Sequence, residues 1–155
     1  LLMGGTGSDS IRQDMPEYLP DRLEAGTLNV PGIAGLCAGL NYLRHTGVEE
    51  IGQREHRQVE RCARKLKKLG CQVFSGPHQA GTVSFLPAGD CEETAEFLAR
   101  RGIAVRAGLH CAPLAHESAG TLDSGTVRVS FGYQAADAQT DMLLETLSKG
   151  NRLKS

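Results

Sequence analysis

Cys111 lies in the run Gly102-Ile103-Ala104-Val105-Arg106-Ala107-Gly108-Leu109-His110-Cys111-Ala112-Pro113, where a short apolar stretch leads into a glycine-loosened turn. A thiol attacks only as its thiolate, and neighbouring cations with partial exposure favour that form. Arg106 and His110 are such neighbours. A buried structural cysteine is the competing reading, because free cysteine is among the most buried residue types. His110 and His116 flank the thiol, and either can carry protons near neutrality. A protease-like Cys-His dyad is poorly supported, since nothing supplies an orienting third group.

A second arginine stands out by strand alternation. In Thr126-Val127-Arg128-Val129-Ser130-Phe131, positions 127, 129 and 131 form an apolar face and leave Arg128 on the other. Ile103 and Val105 pair likewise and leave Arg106 opposite. Two arginines leaving a small sheet can hold a carboxylate in forked geometry or be ordinary surface charges. Upstream, Glu24-Ala25-Gly26-Thr27-Leu28-Asn29 precedes a helix whose N-terminal N–H groups suit a phosphate, or else Thr27 and Asn29 merely cap it. The loop Gly4-Gly5-Thr6-Gly7 matches neither common phosphate-loop spacing.

The elements that must position these groups alternate irregularly. Helices are expected over 31–44, with Ile33, Leu36, Leu40 and Leu43 in one stripe, and over 48–69, with Val59, Cys62, Leu66 and Leu69 inward. Glu50–Arg54 and Glu60–Arg64 are read as i,i+4 pairs on the second helix, and Lys65, Lys67 and Lys68 as its solvated end. Gly32, Gly35 and Gly39 in the first helix suggest close packing of another backbone. Strands are expected at 71–75, 81–86, 103–106 and 126–131. A helix opened by an Asp90/Glu93 capping box runs to Arg101 and ends at Gly102. The last helix spans 137–149, with Met142, Leu143 and Leu147 inward. The pattern predicts an α+β fold with a small, mostly antiparallel sheet packed with helices.

Composition limits the function classes. The chain has 155 residues and a net charge of −1, so no electrostatic footprint suggests nucleic acid or an anionic membrane. Five cysteines without a CxxC pair argue against zinc and against a disulfide scaffold, and fit a reducing, cytoplasmic compartment. No metal site is expected. The opening Leu1-Leu2-Met3-Gly4-Gly5 reads as the inside of an apolar segment, so the chain is expected to be part of something longer.

Taken together, Gly4-Gly-Thr-Gly-Ser, Glu24-Ala-Gly-Thr-Leu-Asn-Val-Pro-Gly, Arg106-Ala-Gly-Leu-His-Cys-Ala-Pro and Thr126-Val-Arg-Val-Ser-Phe-Gly resemble the C-terminal portion of class V aminotransferases of fold-type I. The nearest branch is the cysteine desulfurases and selenocysteine lyases. The resemblance implies residues 1–45 as a remnant of the large pyridoxal 5'-phosphate (PLP) domain, with an interface loop and helix. It implies residues 46–155 as the small C-terminal domain carrying the cysteine loop. It further implies conversion of L-cysteine to L-alanine with a persulfide on Cys111. Arg128, Arg106 and His110 would stand on the substrate side, and Thr27, Gly5 and Thr6 would bind cofactor. A homodimer and a sulfur-acceptor protein are expected partners. The Schiff-base lysine is expected upstream of Leu1, which would leave this chain inactive alone. Gln134 departs from the usual Tyr-Asn pair. Another class V aminotransferase, a selenocysteine lyase or a non-catalytic interaction domain are the alternatives.

Overall fold

A computed structural model describes residues 7, 9, 11–24 and 26–150, with the backbone of 151 and 152. The chain divides into two compact units, Leu1–Thr46 and Gly47–Ser155. The first holds a short 3-10 turn, Asp21–Leu23, and helix α1, Val30–Thr46. Asn29 caps α1 by accepting the Gly32 amide on Oδ1 at 3.0 Å. No residue of α1 is buried, and Ile33, Leu36, Leu40 and Leu43 all stand exposed.

In the second unit the order is α2 (Val48–Lys68), β1 (Gln72–Phe74), β2 (Thr82–Leu86), α3 (Cys91–Ala99), β3 (Arg106–Gly108), α4 (Pro113–Ala119), β4 (Thr126–Ser130) and α5 (Asp137–Arg152). The four strands form one antiparallel sheet in the order β1-β2-β4-β3. The architecture is the expected α+β arrangement.

Period-2 alternation decides which face each strand buries. Val83 and Phe85 of β2 and Val127 and Val129 of β4 turn inward, where they meet Val59, Cys62 and Leu66 of α2, Leu98 of α3, and Leu143, Leu144 and Leu147 of α5. Phe85, Val83, Val127, Leu66 and Leu98 are fully buried. Helices α2, α3 and α5 thus cover one face, and Ser84, Arg128 and Arg106 stand on the other.

Local signals place the helix ends. Asp90 accepts the Glu93 amide at 2.9 Å, an N-cap at α3. Gly102 follows α3 at a φ of 75°, where an L-residue is strained.

Several expectations need correction. The third strand is Arg106–Gly108, not 103–106, because pairing to β4 begins at Arg106 opposite Arg128. Ile103 and Val105 pack against the core from an irregular lead-in. Met142 is 49% exposed, and Leu144 takes the inward position instead. On α2, Glu50 pairs with Arg57 at 3.7 Å and Glu60 with His56 at 3.4 Å, while Arg54 lies over the Tyr133 ring. Lys65 is not simply solvated; it meets Asp141 at 2.6 Å. Arg61 bridges Asp137 at 2.8 Å and Asp141 at 2.6 Å, and Thr140 donates to Gln58 at 2.9 Å, so a polar seam joins α2 to α5.

Candidate active site

The open face of the sheet carries the candidate site. Register pairs Arg106 with Arg128, and cross-strand partners project to the same side. The arrangement depends on two glycines. At Gly125, φ is 62° and a Cβ would fall 2.8 Å from the Cα of Gly108, so β3 and β4 meet at a point that tolerates no side chain. Among the described residues neither arginine has a carboxylate partner, and the buried Arg128 Nε donates to nothing.

The cysteine loop follows β3 directly. Ala112 N–H donates to Leu109 C=O at 2.9 Å, closing a turn whose central residues His110 and Cys111 have φ of 53° and 58°. Two positive φ values in a hydrogen-bonded four-residue turn mark type I′, which usually takes Asn-Gly. Here two bulkier L-residues hold it. Cys111 is exposed at its tip. Pro113 then opens α4, its fixed φ suiting the first helical turn.

His110 is tied to the sheet. Its Nε2 lies 3.2 Å from both the backbone oxygen and the hydroxyl of Thr126. A carbonyl oxygen only accepts, so Nε2 carries the proton and Nδ1 is a bare lone pair. That Nδ1 is buried and has no partner. Burial, and next the Arg128 charge, hold the imidazole below its ordinary value, opposed by the Thr126 bond. His110 is therefore neutral near pH 7. Its ring lies 5.7 Å from that of His116. His116 is buried on α4 and fixed by Thr121 Oγ1 at 2.8 Å from Nδ1.

The left-handed form of the turn, the Thr126 contact to His110 and α4 were not expected. A short helix after Pro113 was legible from the proline and the closing Gly120, whose φ is 67°. Cys37 is exposed like Cys111, whereas Cys62, Cys71 and Cys91 are buried. Cys62 is pushed up to about 12 by burial, then by Cys71, against a smaller opposing effect of Lys65. Cys71 and Cys91 are also raised by burial.

In the first unit Thr27 is exposed, and its hydroxyl has no hydrogen-bond partner among the described residues. Gly5 and Thr6, the other expected cofactor contacts, lie outside the described residues. No group of three metal-ligating side chains occurs among the described residues, and no described helix is long and apolar enough to cross a membrane.

A sequence profile described as aminotransferase class-V matches residues 1–143. The chain belongs to that family. A probable cysteine desulfurase of Xylella fastidiosa is 31% identical over 137 residues, covering 86% of this chain and 32% of that protein. Among solved structures, the apo cysteine desulfurase of Thermococcus onnurineus matches with a TM-score of 0.83 and 32% identity, over 98% of this chain and 39% of that one. The cysteine desulfurase CsdA of Escherichia coli, in an S-sulfonic acid form, matches with a TM-score of 0.82 and 28% identity, over 98% and 38% of the two chains. This class-V aminotransferase chain therefore spans about a third of the length of such relatives.

Proposed function

We propose that this chain is the C-terminal portion of a PLP-dependent cysteine desulfurase, converting L-cysteine to L-alanine and leaving the sulfur as a persulfide on Cys111. The observation that carries the reading is the Arg106–Arg128 pair, which has no carboxylate partner among the described residues and lies on the strands that lead into an exposed cysteine at a left-handed turn. Like charges directly opposite on a sheet are unfavourable by roughly 0.2–1 kcal/mol, a cost that a bound carboxylate would reverse. Arg128 takes the substrate carboxylate and Arg106 faces it from the cysteine-loop side.

The described residues fit the substrate side of a PLP site. The unpaired Arg128 Nε is a donor awaiting an anion, and the exposed Thr27 hydroxyl, without a hydrogen-bond partner among the described residues, suits a cofactor phosphate, reached in a homodimer from the partner subunit. PLP, when bound, supplies the electron sink for bond cleavage at the amino acid. The arginines orient the amino acid, the turn presents Cys111 Sγ to its sulfur, and exposure lets the persulfide leave to an acceptor protein. Atoms balance as cysteine plus the Cys111 thiol giving alanine plus the Cys111 persulfide; the thiol proton supplies the hydrogen that alanine gains.

The test uses the complete protein. Cys111→Ala should abolish sulfur release from L-cysteine while the cofactor absorbance stays, and Arg128→Lys should raise KM. Undiminished turnover in Cys111→Ala overturns the assignment. Comparing rates with L-cysteine, selenocysteine and alanine plus a keto acid separates the desulfurase from a selenocysteine lyase or another class V aminotransferase.

A further inference from the structure

We infer that His110 is a specificity-determining residue whose Nδ1 accepts a hydrogen bond from the substrate thiol. The inference rests on the desulfurase reading and names the substrate atom that the histidine meets. Among the described residues two buried side-chain polar atoms lack partners, Arg128 Nε and His110 Nδ1. One is a donor. The other is an acceptor, because the Thr126 carbonyl 3.2 Å from Nε2 fixes the proton there. A buried polar atom without a partner is costly, so both atoms call for a ligand that is an acceptor at one end and a donor at the other.

L-cysteine has three polar groups. Its carboxylate matches Arg128, and its amino group is the one that joins the cofactor. The thiol remains as the donor for Nδ1, and His110 is the immediate neighbour of the cysteine that must reach that sulfur. The imidazole, lowered by burial and by Arg128, stays an acceptor at neutral pH and leaves the proton on sulfur. A neutral sulfur is the form that a Cys111 thiolate can attack. A thioether offers no proton and leaves Nδ1 unpaired, which predicts weaker binding by about tenfold to a hundredfold.

The experiment has two arms. In the complete protein without substrate, nitrogen NMR of labelled histidine should find His110 as the Nε2–H tautomer at pH 7; an Nδ1–H tautomer overturns the inference. In the complete PLP enzyme carrying Cys111→Ser, titration should find L-cysteine bound about tenfold to a hundredfold tighter than S-methyl-L-cysteine. His110→Ala should bring that ratio near one. His110→Asn, which keeps an acceptor near the Nδ1 position and tolerates a left-handed turn, should preserve much of it. A merely structural histidine would weaken both ligands alike and leave the ratio unchanged in His110→Ala, and that result overturns the inference alone. Failure of the complete protein to bind L-cysteine at all overturns the desulfurase reading as well.

Discussion

Replacing Cys111 by glycine should stabilise the fold relative to replacing it by alanine. Cys111 has φ 58° and is exposed, so both changes remove an unburied side chain and differ mainly in backbone preference. A left-handed conformation costs an L-residue roughly 1–2 kcal/mol. Glycine escapes that cost but loses about 0.5–1 kcal/mol through its freer unfolded chain. The net is about 1 kcal/mol in favour of Cys111→Gly, opposite in sign to the usual order. Urea unfolding of the two variants reads it directly. With a slope of about 1–3 kcal/mol/M, the midpoint should lie about 0.3–1 M higher for the glycine variant. Glu117, exposed on α4, supplies the control, where alanine should be the more stable replacement. A Cys111→Gly midpoint below that of Cys111→Ala would falsify the claim that the loop holds the cysteine in a strained turn.

Other consequences are equally open to measurement. Gly125→Ala should destabilise by about 2–4 kcal/mol, since its Cβ would fall 2.8 Å from Gly108 and its φ is 62°; chemical denaturation reads the loss. Phe85→Ala should cost about 3–5 kcal/mol, as a fully buried ring between the sheet and its helices. Iodoacetamide at neutral pH should label Cys111 and Cys37 in the folded chain and reach Cys62, Cys71 and Cys91 only after unfolding, because burial raises those three thiols. The Asp141 carboxyl is held below its usual range, chiefly by its hydrogen bond from Lys65 and against some desolvation. A depressed carboxyl contributes stability above its unfolded pKa and loses it as pH falls through the folded value. The stability gap between wild type and Asp141→Asn should therefore be present at pH 7 and close in strong acid.

Much of the scaffold was legible because its signals are local. Val127 and Val129 alternate with Arg128, Asp90 stands three residues before Glu93, and Gly102 sits where α3 must stop; each follows from backbone geometry within a few residues. What escaped depends on contacts far apart in sequence. Strand β3 begins at Arg106 because β4 pairs there, not because the preceding apolar run ends. Met142 and Leu144 lie on opposite sides of α5, and packing against α2 and α3 buries the leucine side. Lys65 reads as a solvated charge until α5 brings Asp141 beside it. At the candidate site, Cys111 and the two arginines stand out from residue type and alternation alone. The His110 tautomer does not, since it depends on Thr126 sixteen residues later.

The most direct test of the account is where the sulfur goes. The complete PLP enzyme would be incubated briefly with L-cysteine, alkylated, digested and examined by mass spectrometry. The account predicts one extra sulfur atom on the peptide bearing Cys111, formed in step with alanine and absent when Arg128 is replaced by alanine. Alanine formed at full rate with no added sulfur on Cys111 would contradict it.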